Sequence, residues 1–390
     1  MERLKVSVTA RLLIFAFFDD FMLIYPLYAV MFAHAGLTPL QITSLLVVWS
    51  LTAFLLNVPA GVIADRYPRR VVLIAGLLLR AVGYGAWLAV PHYSGFLIGF
   101  VLWGLKSALT SGTTEALVYD ELNRARDLPA YARVTGRMTS FSFTAVVLAS
   151  LVASLVASWG YGPLLLCSMA AIVVSAIAVG SLPSAPRTEP VDTVSYLQTL
   201  RDGTRMLWDH SSVLFLVGLA SLVGGLGSVD EYFGLFLHQR AFTDSGIAAW
   251  TAVIFLLSAV GAALAHRWEH RSMPVVALLM VWALMLYAAA VAPGVLAPLL
   301  LAGFYLFFGA GRVLTNARLQ RLLTDSVRAT VTSAGSVGAE FLALVSYGLM
   351  GLGADVSHGY AGGYEWIAMA LGAVGIGLIP LQKRVGHAPK

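Results

Sequence analysis

A chain of 390 residues that is 59% hydrophobic and only 12% charged, with a mean hydropathy of +0.81, carries more apolar surface than one aqueous core can hide. That excludes a water-soluble globular protein and points to an all-α membrane protein, because a lipid-exposed backbone must satisfy its own hydrogen bonds and each span needs about 20 apolar residues. The net charge of +5 and the pI near 9.3 sit in loops, so they reflect membrane topology and imply no nucleic-acid partner.

Twelve apolar stretches follow in chain order, near 12–33, 40–63, 71–90, 95–120, 132–158, 163–182, 212–237, 247–265, 273–292, 296–317, 330–353 and 364–381. Cations mark one set of connections: Arg3, Lys5 and Arg11; Arg66, Arg69 and Arg70; Arg124, Arg126 and Arg133; Arg187, Arg201 and Arg205; Arg267 and Arg271; Arg318, Arg321 and Arg328; Lys383, Arg384 and Lys390. The other side carries only Arg240. Positive residues resist translocation, so both termini are expected in the cytoplasm. The first stretch is too long for a signal peptide and lacks a cleavage pattern, so it is expected to stay as a helix. Cys167 is alone, which rules out an intramolecular disulfide.

The first stretch contains Phe18-Asp19-Asp20-Phe21, with Tyr25, Pro26 and Tyr28 beyond it. Pro26 removes a helical hydrogen bond and is placed to kink this span. At the end of the second stretch comes Gly61-Val62-Ile63-Ala64-Asp65-Arg66-Tyr67-Pro68-Arg69-Arg70. This resembles the signature loop of the major facilitator superfamily, Gly-x-Leu-Ala-Asp-Arg-x-Gly-Arg-Lys. The glycine, the Asp-Arg pair and both trailing cations are kept, while Ile63 and Pro68 depart from the pattern. The fourth stretch carries Trp103, Lys106, Thr110, Thr114 and Glu115-Ala116-Leu117-Val118-Tyr119-Asp120, the last segment similar to bacterial members of that superfamily. The resemblance implies a cytoplasmic gate built from Gly61, Asp65, Arg66, Arg69, Arg70, Asp120 and Arg137, in which Arg69 and Arg70 pair with Asp120 or Glu121. The alternative is a solvated surface cluster worth little.

Small residues line the fifth stretch (Ala145, Ala149, Ala153, Ala157; Ser150, Ser154, Ser158) and the eighth (Ser258, Gly261, Ala262, Ala265), which allows close helix packing. In the resembled family the fifth and eighth spans meet across the two halves. The polar interval 183–211 opens with Pro183, Pro186 and Pro190. It then places Val194, Leu197, Leu200 and Leu207 at helical spacing opposite Arg201 and Arg205, an amphipathic linker on the cytoplasmic surface. It separates an N-terminal six-helix bundle, 1–182, from a C-terminal one, 212–390.

The halves echo one another. Asp19-Asp20 corresponds to Asp230-Glu231, Ala64-Asp65-Arg66 to Ala265-His266-Arg267, and Thr110 with Asp120 to Thr315 with Asp325. Such repeats are a recurring plan in secondary transporters, with the substrate site near the midplane. Charges in a bilayer cost about 2.5–3.5 kcal/mol each on insertion scales, so they mark function or pairing. Eleven ionisable residues lie within or near the inner end of spans, Arg80, Arg137 and Glu340 among them. The resemblance implies that spans one, four, seven and ten line the cavity, and seven charges fall on these: Asp19, Asp20, Lys106, Glu115, Asp230, Glu231 and Arg312. Five are acidic, which favours protons and cationic substrates. Neighbours on a helix point about 100° apart, so one member of each doublet faces the cavity; Asp20 and Asp230 are narrowly favoured, and the choice stays open. On the alternative reading these carboxylates only neutralise Lys106 and Arg312. Tyr25, Tyr28, Trp103, Tyr232, Phe236, Tyr305 and Asn316 are candidate pocket residues. Gly224, Gly225, Gly227, Gly309 and Gly311 serve either bending or close packing.

Thr139 to Ser158 contains neither Gly nor Pro, so the antiporter pattern of span five is missing, and Lys106 at best replaces the span-four arginine of many drug exporters. Gly104-Leu105-Lys106-Ser107 is only the tail of a phosphate loop, so direct ATP use is not expected. No paired intramembrane histidines occur, and neither metal nor cofactor is implied. The expectation is a twelve-helix major facilitator fold in the cell (inner) membrane, monomeric, and not an enzyme. It would couple protons to movement of a small-molecule substrate, exporting amphipathic or cationic compounds by alternating access. Import of a polar nutrient, or a non-transporting sensor or scaffold on the same fold, are the alternatives.

Overall fold

The computed structural model describes residues 2–182, 211–268, 275–323 and 325–385, and no strand occurs among them. The amphipathic linker expected at 183–211 lies outside the described residues except for its last position, as do His270 and Arg271 and the side chains of Asp65 and Asp325. All twelve predicted stretches are helical. Among the described residues, ten helical runs are long and apolar enough to cross a membrane, and Val275–Val291 is a shorter apolar helix.

The chain clusters into two units, Met1–Glu189 with Phe242–Ala252, and Pro190–Ala241 with Val253–Lys390. The first holds α1 (Glu2–Asp20), α2 (Tyr28–His34), α3 (Pro39–Arg66), α4 (Arg69–Ala89), α5 (Tyr93–Thr110), α6 (Thr113–Arg124), α7 (Tyr131–Val156) and α8 (Tyr161–Gly180). Within the second lie α9 (Ser211–Leu226), α10 (Phe233–Gln239), most of α11 (Asp244–Leu264), α12 (Val275–Val291), α13 (Leu296–Leu322), α14 (Asp325–Val356) and α15 (Tyr360–Val385). Helix starts follow local chemistry. Thr38 caps α3 by accepting from the Gln41 N–H at 3.3 Å, while the Gln41 side chain accepts from the Thr38 N–H at 2.9 Å and Pro39 fills the first turn.

Three spans are interrupted, each beside acidic residues. The first stops at Asp20 and resumes at Tyr28, so the helix ends on the doublet itself, two residues before Met22, whose carbonyl Pro26 cannot serve and which accepts from the Tyr25 N–H at 3.2 Å instead. The fourth breaks at Ser111-Gly112, where Gly112 adopts φ 71°, three residues before Glu115; a side chain there would be strained. The seventh tightens into a 3-10 segment, Gly227–Tyr232, containing Asp230 and Glu231. Away from water, freed backbone groups must find other partners, and in the first span they do. Arg80 donates to the Asp19 carbonyl at 2.7 Å, the Ile24 N–H donates to Ser168 Oγ at 3.1 Å, and Ser175 and Ser142 donate to the Phe15 and Ala16 carbonyls at 3.1 and 3.3 Å.

Helix pairing repeats between the units. In the first, α1 packs on α7, α4 on α5 and α4 on α8; in the second, α9 packs on α14, α12 on α13 and α12 on α15. Apolar burial stabilises little against lipid, so close approach at small residues carries the packing. A Cβ on Gly99 would lie 1.9 Å from Trp87 Nε1, and one on Gly104 2.7 Å from Thr52 Cβ. The eighth-span stripe meets the tenth span within its own unit: a Cβ on Gly261 would lie 1.8 Å from the Leu306 carbonyl oxygen, and one on Gly309 2.1 Å from that of Ser258. Between bending and packing, Gly224, Gly225, Gly309 and Gly311 are thus packing residues, the first two against Ala339 and Leu342 and the last against Trp282.

Candidate functional site

Asp19 is the hub of the first unit. Its Oδ1 accepts from Arg80 at 2.5 Å and its Oδ2 from the Lys106 ammonium at 3.1 Å. Arg80 is 1% exposed, and its other terminal nitrogen meets the Met22 sulfur at 3.4 Å, which also accepts from the Tyr84 hydroxyl at 3.1 Å. Lys106 is thus joined to Asp19, as the alternative reading of the sequence has it, and so is Arg80, a third-span residue outside the four spans expected to line the cavity. Two cations on Asp19, with Asp20 next to them, make this group of four formally neutral rather than acidic.

Beside this hub lies a cavity of about 280 Å³ between α1, the α5–α6 break and α7. Asp19, Asp20, Glu115, Thr110 and Thr114 line it, together with Phe15, Ala16, Val118, Thr135, Met138, Thr139 and Ser142. The sequence marks Asp19, Asp20 and Glu115 for the cavity and places Thr110 and Thr114 on the same span as Glu115, but it does not point to the α7 face. The signal available was a Thr135–Thr139 pair spaced one turn apart next to the charged end of a span.

The pocket aromatics fall elsewhere. Tyr28 and Trp103 are buried in a ring cluster with Trp87 and Phe100, Trp103 also touching Trp49, while Tyr25 stays half-buried against Tyr28. In the second unit Asp230 and Glu231 are half-buried, with Tyr305 and Tyr347 within electrostatic reach of both and Tyr364 within reach of Asp230. Tyr232 and Phe236 are fully buried, Tyr232 against Tyr347 and Tyr360, and Phe236 between Tyr364 and the Arg240 guanidinium, 3.8 Å over its ring. Arg312 and Asn316 lie one turn apart on an exposed face of α13.

At the end of the first unit that carries the signature loop, Arg69 forms an ion pair with Asp120 and donates to the Ala116 carbonyl at 2.8 Å, tying α4 to α6. Arg70 differs from expectation: it donates to the Gly180 and Leu182 carbonyls at 3.2 and 2.7 Å, where Arg11 joins it on Ser181, so both cap the end of α8. Glu121 is held instead by Arg124 at 3.3 Å. Gly61, Arg66 and Arg137 are exposed.

The profile of the Major Facilitator Superfamily matches residues 12–346. No curated protein matches by sequence. Among solved structures, a mutant form of the nucleoside transporter NupG superposes with a TM-score of 0.76 at 14% identity, covering 97% of this chain and 99% of that one. A D-xylose–proton symporter gives 0.74 at 14% identity over 96% and 95%. A bacterial homologue of the human lysosomal transporter Spinster, inward-facing and unoccupied, gives 0.71 at 14% over 98% and 97%. At such identities the likeness is one of fold.

Proposed function

The chain belongs to the major facilitator superfamily, and on that premise we propose that it is a proton-coupled secondary transporter that exports amphipathic or cationic small molecules by alternating access. It is a multi-pass membrane transporter and not an enzyme. The observation that carries the finer reading is the cavity lined by Asp19, Asp20 and Glu115. Intramembrane ionisable groups next to a cavity are the usual elements of proton relays. Asp19 holds two cations, which leaves Asp20 as the carboxyl of the doublet positioned to exchange a proton with the cavity. Asp230 and Glu231 are the corresponding groups of the second unit, with Arg312 and Asn316 on its tenth span. Discontinuous helices at such groups are how transporters bring ions and substrate to main-chain ends. The gate is part of the same proposal: Gly61, Asp65, Arg66 and Arg137 join the Arg69–Asp120 pair in closing the cytoplasmic side, with the chain monomeric in the inner membrane and its termini cytoplasmic.

Inverted vesicles holding an acid-inside proton gradient test this. Organic cations should dissipate the gradient, reported by a fluorescent dye, and Asp20→Asn should abolish the response. A response to none of a panel of cations, neutral amphiphiles, sugars and amino acids by folded protein rejects proton antiport; uptake into right-side-out cells driven by acid medium would instead assign import.

A further inference from the structure

Every hydroxyl on the cavity wall has already spent its proton. Thr110 donates to the Lys106 carbonyl at 3.0 Å, Thr114 to Thr110 at 3.4 Å, Thr135 to Tyr131 at 2.9 Å and Thr139 to Thr135 at 3.1 Å. Ser142 faces the Ala16 carbonyl at 3.3 Å and the Asp20 carboxylate, and its proton goes to one or the other. A hydroxyl that donates to the main chain offers a ligand only lone pairs. The remaining polar lining, Asp19, Asp20 and Glu115, is carboxylate, which accepts when ionised. Among the described residues, no lysine, arginine, histidine, asparagine, glutamine or tryptophan lines the cavity. With its carboxylates ionised, the wall therefore presents acceptors from α1, α5, α6 and α7 and has no side-chain donor to give among the described residues.

Resting on the transporter reading above, we infer that this cavity binds a compact primary ammonium compound, selected by its N–H donors as well as by its charge, with Thr135 and Thr139 as specificity-determining residues. A carboxylate or phosphate ligand would meet acceptors and no donor on this wall. A quaternary ammonium has the charge but no N–H, so it would leave the hydroxyl lone pairs unmet, and a desolvated acceptor without a donor is costly. A volume of about 280 Å³ sits at the small end of ligand pockets, which are about 300–1,000 Å³. Phe15, Val118 and Met138 supply an apolar side for the carbon skeleton.

The test uses the full chain in lipid nanodiscs and calorimetric titration with 2-phenylethylamine, its N,N,N-trimethyl derivative and phenylacetate. The primary amine should bind at least about tenfold more tightly than the trimethyl compound, the equivalent of one lost hydrogen bond to a charged group. Phenylacetate should not bind. Thr135→Val with Thr139→Val keeps the shape and removes two acceptors; it should bring the ratio below about threefold, whereas Thr135→Ser with Thr139→Ser should retain it. Equal or tighter binding of the trimethyl compound, an unchanged ratio in the valine variant, or no binding of the amine at millimolar concentration would each overturn the inference. Flux in proteoliposomes is measured in parallel. Proton-coupled flux with no preference for the primary amine sinks the inference and leaves the transporter reading intact; selective amine binding without flux does the reverse.

Discussion

Replacing Arg80 by methionine removes a fully buried charge and should be the most destabilising single change at the Asp19 hub. Arg80 gives Asp19 two bonds, to Oδ1 at 2.5 Å and to the carbonyl oxygen at 2.7 Å, and is 1% exposed. Hydrogen bonds to charged groups contribute about 1.5–3 kcal/mol each, and breaking a buried pair outright costs about 3–5 kcal/mol. Lys106 remains to hold the carboxylate, so the loss stays at the lower end of that range, about 3 kcal/mol. Lys106→Met removes one bond of 3.1 Å from a side chain that is 11% exposed, and about 1.5 kcal/mol is expected, the low end for a charged bond. Equilibrium unfolding in mixed micelles measures both, and Asp19→Asn completes a double-mutant cycle in which Arg80 and Asp19 should couple by about 2–3 kcal/mol. If Lys106→Met costs as much as Arg80→Met, or the coupling is within about 0.5 kcal/mol of zero, Arg80 is not the anchor argued for here.

Other consequences can be checked on the same protein. Gly99→Ala puts a Cβ 1.9 Å from Trp87 Nε1 and should cost about 1–3 kcal/mol. Gly85→Ala, whose nearest neighbour is the Met169 methyl at 4.0 Å, should be neutral or stabilising by up to about 1 kcal/mol, read as a shift in thermal midpoint. Thr38→Ala removes the capping box of α3 and should cost about 1 kcal/mol, while Thr38→Ser should keep most of it. Asp65→Asn should impair transport with expression intact, and Arg69→Ala should do the same with at most about 1 kcal/mol lost in stability, because the Arg69–Asp120 pair is partly solvated. Normal turnover in both variants would remove the gate from the proposal.

The spans were legible because the bilayer imposes a length and a polarity that few other environments do. Arg69–Asp120 was legible because a motif carried it. What the sequence hid was of two kinds. Arg70 and Arg11 bind main-chain carbonyls at the end of α8, and every residue owns a carbonyl, so no side-chain pattern marks the partner. Breaks at Asp20, Gly112 and Gly227–Tyr232 depend on whether donors from other helices reach the opened backbone, a tertiary matter. Pro26 foretold a bend in the first span but not that the helix would end on the doublet. Arg80 was visible as a charge in mid-span; confining the cavity to four spans kept it apart from Asp19.

The 61 residues of chain separating Asp19 from Arg80 bear on how the protein is made. The first span leaves the ribosome carrying two aspartates and an open main chain, each aspartate costing about 2.5–3.5 kcal/mol at mid-bilayer. Its counter-charge is synthesised only with the third span. Stable integration of the first span is therefore expected to wait for α4, with the first three spans entering the membrane as one cooperative step. Nascent chains arrested before Arg80 should leave the doublet accessible to aqueous labelling reagents, and chains arrested after α4 should not; equal protection in both would show that the first span integrates alone.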